Sequence, residues 1–385
     1  MKVAIIQEVV KGGGRLMVLI EIIQLLNQRG IVPIIITFNM SIDKEQIFQK
    51  YGYQIDFQVN KIKFNLFKKF PEVNTLWFNF LTRFYVQNID LVINSNNTSC
   101  FLPKKPLRID YVHFPRKVRV QNREFLRLNG QSPIRLKTRI ARNIDYLLSH
   151  LMYFLDRMDP NFLIIANSDF TRRQIKDAYS LKDKNIEVIY PPVNFTKKSI
   201  DKPQNNIVAT LGRFSPTKNQ LDQLRIAKRL SNFRFYIIGF AGASEEYYRK
   251  CLSYIDKNHI QNVEIFTNLN YEEVRSKLSE AKYFLHTTYN EPFGITTVEG
   301  IASGCIPVVP NSGGQVEIVN KDELRFDTVD QAVDIFKNLE NIQTSYSIKQ
   351  LYEHINIFHV QEFRKRFGTI LDTSAFDNSY PGYKK

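Results

Sequence analysis

The apolar positions of the chain fall in short runs that alternate with segments of helical periodicity. The first run covers residues 3–6, and a glycine-rich turn at residues 11–15 follows it. Residues 16–27 then repeat apolar side chains at helical spacing, and residues 31–37 form a second short apolar run. This order of strand, turn, helix and strand predicts the opening unit of a parallel sheet with helices on both faces.

The same alternation continues along the chain and restarts after one polar segment. In the first half, further strands are expected at residues 91–94, 108–112 and 162–166. Residues 197–206 are polar and contain Pro203, which is typical of a linker. In the second half, strands are expected at residues 207–211, 233–238, 263–266, 283–286 and 306–309, and helices at residues 220–230 and 360–371. The chain therefore contains two similar α/β units.

Two domains of roughly 150–200 residues are the default for a chain of 385 residues. We predict an α/β fold in which residues 1–195 and residues 206–358 form two Rossmann-like, doubly wound domains. Residues 359–385 are expected to form a helix, able to pack back toward the N-terminal domain, and a polar tail. Ligands of such sheets lie at the carboxyl ends of the strands, so a cleft between the domains is the expected site.

Composition places the chain among ordinary globular proteins, with 43% apolar and 24% charged residues. No run approaches the roughly 18 apolar residues that a membrane-spanning helix requires, and residues 1–10 lack the pattern of a signal peptide. The three cysteines, Cys100, Cys251 and Cys305, are odd in number and have no metal-ligand spacing. They suit reduced thiols, and we expect a cytoplasmic protein.

Positive charge is concentrated in the first half of a chain whose net charge is +15. Residues 101–142 carry twelve basic and two acidic side chains. Residues 61–70 mix Lys61, Lys63, Lys68 and Lys69 with Phe64, Phe67 and Phe70, shortly before Trp77. Such mixtures fit an anionic membrane surface, at about 1 kcal/mol per basic residue, but also nucleic acid or a solvated face. We favour the membrane surface and expect no nucleic acid partner.

The most specific stretch of the sequence is residues 286–300. It contains Glu291 just before a proline and Glu299 eight positions later, which we expect about two turns into a helix. Gly294 would let the backbone approach a ligand, and the N–H groups after it would form an anion site at the helix start. A second glycine turn, residues 311–314, follows the next predicted strand. Two carboxylates beside two glycine turns predict a ligand site.

Residues 290–319 resemble the donor-site signature of the family 4 glycosyltransferases, which have the GT-B fold and retain anomeric configuration. The family carries two glutamates separated by seven residues, matched here by Glu291 and Glu299. The resemblance implies that Glu291 lies at the donor sugar and that Glu299 hydrogen-bonds the nucleotide ribose. It also places Phe293, Gly294 and Ile295 at the donor.

Residues 212–219 are similar to the phosphate site of the same family, a Gly-Arg turn followed by a lysine. Arg213 and Lys218 match it, and their chemistry agrees, because two fixed cations would stabilise the charge on a departing nucleoside diphosphate. Near the N-terminus, Gly13 and Gly14 resemble the glycine turn over the diphosphate. His113 resembles the N-domain histidine near the donor sugar. The resemblance thus gives Glu291, His113, Arg213 and Lys218 catalytic roles.

Residues 286–295, 311–314 and 111–115, together with the triple glycine at residues 12–14, are similar to the GDP-mannose-dependent α-1,2-mannosyltransferases that extend lipid-linked oligosaccharides. Residues 300–304 depart from the sequence that is usual in that subgroup. The resemblance implies transfer of a hexose, preferably mannose, to a lipid-linked or membrane-associated glycan by a protein peripheral to the cytoplasmic face of a membrane. One alternative is a UDP-sugar-dependent transferase that makes a cell-surface polysaccharide. Another is a catalytically silent GT-B binding protein, against which the intact Glu291, Arg213 and Lys218 argue.

Metal dependence can also be judged from the sequence. No Asp-x-Asp occurs, and no His, Cys or Asp cluster has ligand spacing. Arg213 and Lys218 can take the place of a divalent ion at the leaving phosphate. We therefore expect a metal-independent reaction without a cofactor other than the nucleotide-sugar substrate.

Overall fold

The chain forms two compact units, Met1–Pro192 with Val360–Lys385, and Val193–His359. The computed structural model describes residues 1–68, 70–118, 147, 151, 158–159, 162–182, 186–196, 205–344 and 348–376. Lys69, most of the expected linker and the basic residues from 119 to 142 lie outside the described residues. The helix after His359 belongs to the first unit and is not a separate region.

A seven-stranded parallel sheet forms the centre of the first unit, in the order β5-β3-β1-β6-β7-β8-β9. Its strands are β1 (Val3–Ile6), β3 (Ile34–Thr37), β5 (Gln58–Lys61), β6 (Leu91–Asn94), β7 (Leu107–Val112), β8 (Leu163–Ala166) and β9 (Ile186–Val188). Two short strands, β2 (Val9–Val10) and β4 (Asn39–Met40), pair separately. Helices in the described part of this unit include α1 (Gly14–Asn27), α2 (Lys44–Tyr51), α3 (Pro71–Thr82) and α4 (Asp169–Tyr179).

Burial explains which of these elements the sequence predicts. Strands β1 and β6 are buried at all four positions, and the predicted bounds 3–6 and 91–94 are confirmed. Strand β5 was not predicted, because its four residues are all exposed at the edge of the sheet and give no apolar run. Helix α1 begins two residues before the predicted start, since Gly13 takes a φ of 109° and caps it.

The second unit has a six-stranded parallel sheet in the order β12-β11-β10-β13-β14-β15. Its strands are β10 (Ile207–Leu211), β11 (Arg234–Gly239), β12 (Val263–Thr267), β13 (Tyr283–Leu285), β14 (Ile306–Pro310) and β15 (Arg325–Phe326). The helices are α5 (Gln220–Arg229), α6 (Glu245–Lys257), α7 (Tyr271–Glu280), α8 (Ile295–Ala302), α9 (Gln315–Ile318), α10 (Val329–Thr344) and α11 (Ile348–His354). The five strands predicted in this half are confirmed to within one residue at each end.

The last helix, α12 (Val360–Phe376), packs against α1 in the first unit. Phe363 and Phe367 enter the same apolar core as the inner face of α1. Arg364 Nε donates to Glu21 Oε2 over 2.6 Å, and the side chain of Glu21 has no solvent exposure. The helix extends five residues beyond the predicted end at 371.

Candidate active site

The loop between β13 and α8 is held against the glycine turn that follows β14. Gly314 N donates to the carbonyl oxygen of Glu291 over 2.8 Å, and Asn290 N donates to Ser312 Oγ over 3.0 Å. A Cβ on Gly313, whose φ is +72°, would lie 2.5 Å from Glu291 O. Only glycine therefore allows this approach, and the two turns singled out in the sequence meet here.

Lys218 and Glu291 form an ion pair at this loop. Lys218 Nζ lies 2.7 Å from Glu291 Oε2, and the two side chains are 22% and 18% exposed. Burial alone would raise the pKa of Glu291, but the ammonium of Lys218 and the neighbouring His286 together outweigh that effect, and the net pKa lies well below its usual range. Glu291 is therefore ionised at neutral pH. The sequence indicated both residues but not their direct contact.

A buried polar chain fixes the backbone that carries Lys218. Thr287 Oγ1 donates to the carbonyl oxygen of Lys218 over 3.0 Å, and Gln223 Nε2 donates to Thr287 Oγ1 over 3.0 Å. Gln220 Nε2 donates to the carbonyl oxygen of Arg213 over 3.0 Å. Sequence reasoning missed these three side chains, although each lies within five residues of a predicted site residue or inside the motif at residues 286–300.

The guanidinium of Arg213 extends from the turn after β10 and is exposed. Within the described part of the second unit, it forms no hydrogen bond or ion pair. The turn itself is tight, because a Cβ on Gly239 at the end of β11 would lie 2.3 Å from the carbonyl oxygen of Gly212. Arg213 thus extends an exposed cation from a tight turn, and its side chain is available to an anion.

Three buried polar atoms around this loop have no hydrogen-bond partner among the described residues, namely His286 Nε2, Thr288 Oγ1 and Gln315 Nε2. His286 Nε2 lies 3.9 Å from Glu291 Oε2, beyond hydrogen-bond range. Burial lowers the pKa of His286 despite the opposing charge of Glu291, so its imidazole is neutral at pH 7. Buried polar atoms rarely go without a partner, so these atoms are candidates to bind a ligand.

Gln315 also explains why residue 294 is glycine. A Cβ on Gly294, which has a φ of +121°, would lie 2.6 Å from Gln315 Nε2. The oxygen of this amide, Gln315 Oε1, accepts a hydrogen bond from Thr297 Oγ1 over 2.8 Å. Ile295 begins helix α8 directly after this contact. The backbone N–H groups at the start of α8 are therefore presented without an intervening side chain at residue 294.

Glu299 and Phe293 occupy different surroundings from Glu291. Glu299 is the fifth residue of α8, about one turn into the helix, so the expected two turns were wrong because α8 begins only at Ile295. Burial raises the pKa of Glu299 to about 7. The pKa of Tyr271 rises through burial and then through the charge of Glu299, which identifies the two side chains as neighbours. Phe293 is buried and packs edge-on to Phe358, so its side chain has a packing role.

In the first unit, the predicted residues lie at two adjoining turns. Gly13 caps α1 and Gly14 is its first residue. Arg15 donates to the carbonyl oxygen of Ser95, whose Oγ lies 2.9 Å from His113 Nε2. Burial, and then the charge of Arg15, holds the pKa of His113 well below its usual range. The structure thus joins the glycine turn to a neutral His113 through Ser95, a link that the sequence did not reveal.

Part of the chain is similar to known glycosyltransferases. Residues 193–358 match the family described as Glycosyl transferases group 1. The chain is 27% identical over 184 residues to a GDP-Man:Man(3)GlcNAc(2)-PP-Dol alpha-1,2-mannosyltransferase of Dictyostelium discoideum, a match covering 42% of this chain and 36% of the relative. The namesake enzyme of Xenopus laevis is 31% identical over 168 residues, covering 40% and 34%. The match therefore spans about a third of the length of these curated relatives.

The fold is shared with solved structures along almost the whole chain. WaaG, a glycosyltransferase involved in lipopolysaccharide biosynthesis, superposes with a TM-score of 0.69 at 13% identity, covering 96% of this chain and 99% of WaaG. The predicted GT-B fold, with parallel sheets in two α/β domains, is confirmed. None of the helices in the described residues is long and apolar enough to cross a membrane.

Proposed function

The chain has the GT-B fold and carries a glycosyltransferase group 1 domain at residues 193–358, and from this premise we propose that it is a retaining hexosyltransferase. The observation that carries the proposal is the 2.7 Å contact between Lys218 and Glu291. It joins the residue expected at the diphosphate to the residue expected at the sugar, and these are the two parts of a nucleotide sugar between which the scissile bond lies.

Each residue then has a task set by its charge and exposure. The exposed guanidinium of Arg213 and the ammonium of Lys218 stabilise the negative charge that grows on the leaving phosphate. The ionised Glu291 accepts hydrogen bonds from hydroxyls of the sugar. The acceptor oxygen attacks the anomeric carbon while the bond between that carbon and the phosphate oxygen breaks. The proton of the acceptor hydroxyl passes to the leaving phosphate. Such same-face attack requires no protein nucleophile.

The proposed donor is GDP-mannose. Two observations support it: the curated relatives are named for GDP-Man and mannosyl transfer, and residues 286–295 carry their family's motif. The proposed acceptor is a lipid-linked or other membrane-associated glycan. A UDP sugar remains the alternative donor, because the charges of Lys218 and Arg213 recognise a diphosphate and do not distinguish one nucleobase from another.

A cluster of exposed aromatic and basic side chains in the first unit supports work at an anionic membrane. We define this aromatic-basic surface by Lys61, Lys63, Phe64, Leu66, Lys68, Arg83, Phe84 and Phe101. Phe64, Leu66, Phe84 and Phe101 are between 46% and 67% exposed. Beneath them Trp77 stacks on Phe80, donates to the carbonyl oxygen of Phe64, and so makes a rigid base. We propose a peripheral position on the cytoplasmic face.

Metal independence is part of the same proposal. The described residues contain no group of three or more His, Cys, Asp or Glu that could hold a metal ion, and the two cations at the phosphate site supply the positive charge instead. Incubation with EDTA should therefore leave hexose transfer at the untreated rate. Loss of transfer that returns on addition of Mg²⁺ or Mn²⁺ would overturn this part of the mechanism.

The experiment that tests the function is a thermal-shift screen of GDP, UDP and ADP sugars, followed by a transfer assay with the donor selected. A ligand at about 100 times its Kd stabilises a protein by about 2.7 kcal/mol, which a shift in unfolding midpoint detects. GDP-mannose should give the largest shift. A larger shift with a UDP sugar would select the alternative donor. Binding without hexose transfer or donor hydrolysis would indicate a silent binding protein.

A further inference from the structure

His286 is a buried imidazole at the centre of the site to which neither the family resemblance nor the mechanism above gives a task. It lies directly after β13, and its backbone N–H donates to Val308 O over 3.0 Å, which fixes the residue beside β14. Its side chain is 5% exposed. Nε2 has no hydrogen-bond partner among the described residues, and Glu291 Oε2 lies 3.9 Å from it.

Lys218, which pairs with Glu291, is also expected to bind the donor. Lys218 Nζ binds Glu291 Oε2 over 2.7 Å, yet the proposed function also assigns Lys218 to the diphosphate of the donor. A diphosphate carries more negative charge than one carboxylate, so it competes for the ammonium. As Lys218 turns toward phosphate, the carboxylate of Glu291 loses its strongest contact. A buried carboxylate then requires another hydrogen-bond donor.

We propose that His286 is a positioning residue for Glu291: its Nε2–H donates to Glu291 Oε2 when Lys218 turns to the donor phosphate, and holds the carboxylate in place for the sugar hydroxyls. The proposal rests on the proposed function. A closure of about 1 Å brings 3.9 Å into the range of an N–H···O hydrogen bond. Since burial keeps the imidazole neutral, it supplies one directed donor without adding a charge that would compete with Lys218.

Three substitutions separate this role from mere packing. His286→Gln can place an amide N–H at the position of Nε2, His286→Asn is too short to reach it, and His286→Leu removes the donor while keeping the volume. Wild type and variants are compared in binding GDP, in binding GDP-mannose and in kcat for hexose transfer. If wild type selects a UDP sugar, UDP and that sugar replace the GDP ligands.

The expected result is that all variants bind GDP as wild type does. His286→Leu and His286→Asn should lose the extra affinity that the hexose gives over GDP and about 10- to 100-fold in kcat/KM, the scale of one hydrogen bond to a charged group. His286→Gln should recover most of both. In a Glu291→Ala background, His286→Leu should have no further effect, because its only route of action has been removed.

Outcomes that overturn the proposal are distinct from a failure of the proposed function. If wild type transfers hexose and His286→Leu does so equally well, His286 has no positioning role. The same conclusion follows if Gln fails to rescue, or if the effects of His286→Leu and Glu291→Ala add. A wild type that transfers no hexose from any nucleotide sugar, whether or not it binds one, would instead contradict the function itself.

Discussion

At the scale of single residues, the clearest test of the phosphate site is Arg213. Its guanidinium is exposed and has no partner in the described part of the second unit, so Arg213→Ala should leave the unfolding temperature unchanged. Turnover at saturating donor should fall roughly 10²- to 10³-fold, the loss expected when a preorganised charge-stabilising group is removed. The control is Arg249→Ala, which removes an exposed arginine on α6 that pairs with Glu245. Near-normal turnover of the Arg213 variant would remove it from the site.

Lys218 should behave differently, because it has a protein partner. Lys218→Ala should lose as much turnover as Arg213→Ala but should also unfold at a lower temperature. The reason is that Glu291, 18% exposed, keeps its charge and loses the ammonium 2.7 Å away. Turnover kinetics and thermal unfolding on the same preparation give both quantities. Equal unfolding temperatures for the two alanine variants would mean that the ion pair contributes nothing to stability.

A third residue-scale prediction concerns Glu299, because burial raises the pKa of its carboxyl group to about 7. Between the ordinary carboxyl pKa near 4.5 and pH 7, the unfolded chain has lost this proton while the folded chain retains it. The unfolded state therefore binds fewer protons, and stability falls as pH rises through this window. Glu299→Gln should remove that fall. The check is the difference in unfolding temperature between the two proteins from pH 4.5 to 8, which should be constant if Glu299 titrates normally.

The sequence indicates which residues form the candidate site but does not reveal the contacts among them. Glu291, Lys218 and Gly294 carry recognisable motifs, so pattern alone indicates them. The Lys218–Glu291 pair joins residues 73 positions apart in the chain. His286 Nε2 is buried without a hydrogen-bond partner among the described residues because of how the neighbouring segments pack around it. Gln315 contacts Gly294 only because the turn after β14 packs there. Such relations arise from tertiary packing, which residue spacing does not encode.

At the scale of elements, the alternation of apolar runs with helical periodicity was sufficient to predict the strands that are buried on both faces. It was insufficient to predict β5, whose four residues are exposed and join the sheet through backbone pairing with β3. It also gave no reason for the ion pair between α1 and α12. Glu21 lies within an apolar helix face, and its partner Arg364 is 343 positions away. Local pattern therefore gives the helices but not the polar contact that fixes their pairing.

This pairing gives an element-scale prediction. Arg364→Leu leaves the fully buried Glu21 with Tyr53 as its remaining neighbour, so the first unit should lose about 3 kcal/mol or more. The matched control is Asp372→Ala, which breaks the more exposed pair between Asp372 on α12 and Arg29, two residues after the end of α1, and should change stability by about 1 kcal/mol or less. Urea unfolding of the full chain measures both.

Hydrogen exchange separates local detachment from general destabilisation. Peptides from Val360–Phe376 should exchange faster in Arg364→Leu than in Asp372→Ala, and adding Glu21→Gln to the former should reverse part of the change because the buried charge is gone. Equal exchange in the two single variants would mean that the buried pair does not hold α12.

At the scale of the whole molecule, the aromatic-basic surface predicts how the protein meets its acceptor. Membrane docking through exposed aromatic side chains and lysines combines buried apolar area with attraction to anionic lipids. Binding to anionic vesicles should therefore weaken, but persist in part, as the Debye length falls from about 10 Å at 0.1 M salt to about 3 Å at 1 M. Vesicle co-sedimentation over this range of salt is the measurement.

Two sets of variants separate the contributions of charge and apolar area. Charge reversal at Lys61, Lys63 and Lys68, with Lys69 from outside the described residues, should release the protein from anionic vesicles at low salt. Replacing the exposed Phe64 and Leu66 with serine should instead remove the part of binding that survives at 1 M. Both sets should leave donor binding intact, because none of the substituted residues belongs to the donor motifs at residues 212–219 and 286–300 or to the residues expected at the donor in the first unit, Gly13, Gly14 and His113.

The control for non-specific charge effects is reversal of three exposed basic residues on α6, Arg249, Lys250 and Lys257. If the surface docks as proposed, the three control reversals, which have three quarters of the effect of the four lysine reversals on net charge, leave vesicle binding nearly as in wild type. An equal loss from both reversals would mean that total charge, not this surface, governs binding. Wild-type protein that partitions equally into anionic and neutral vesicles, or into neither, would make the surface an ordinary solvated face, since its lysines would then contribute no attraction to lipid headgroups.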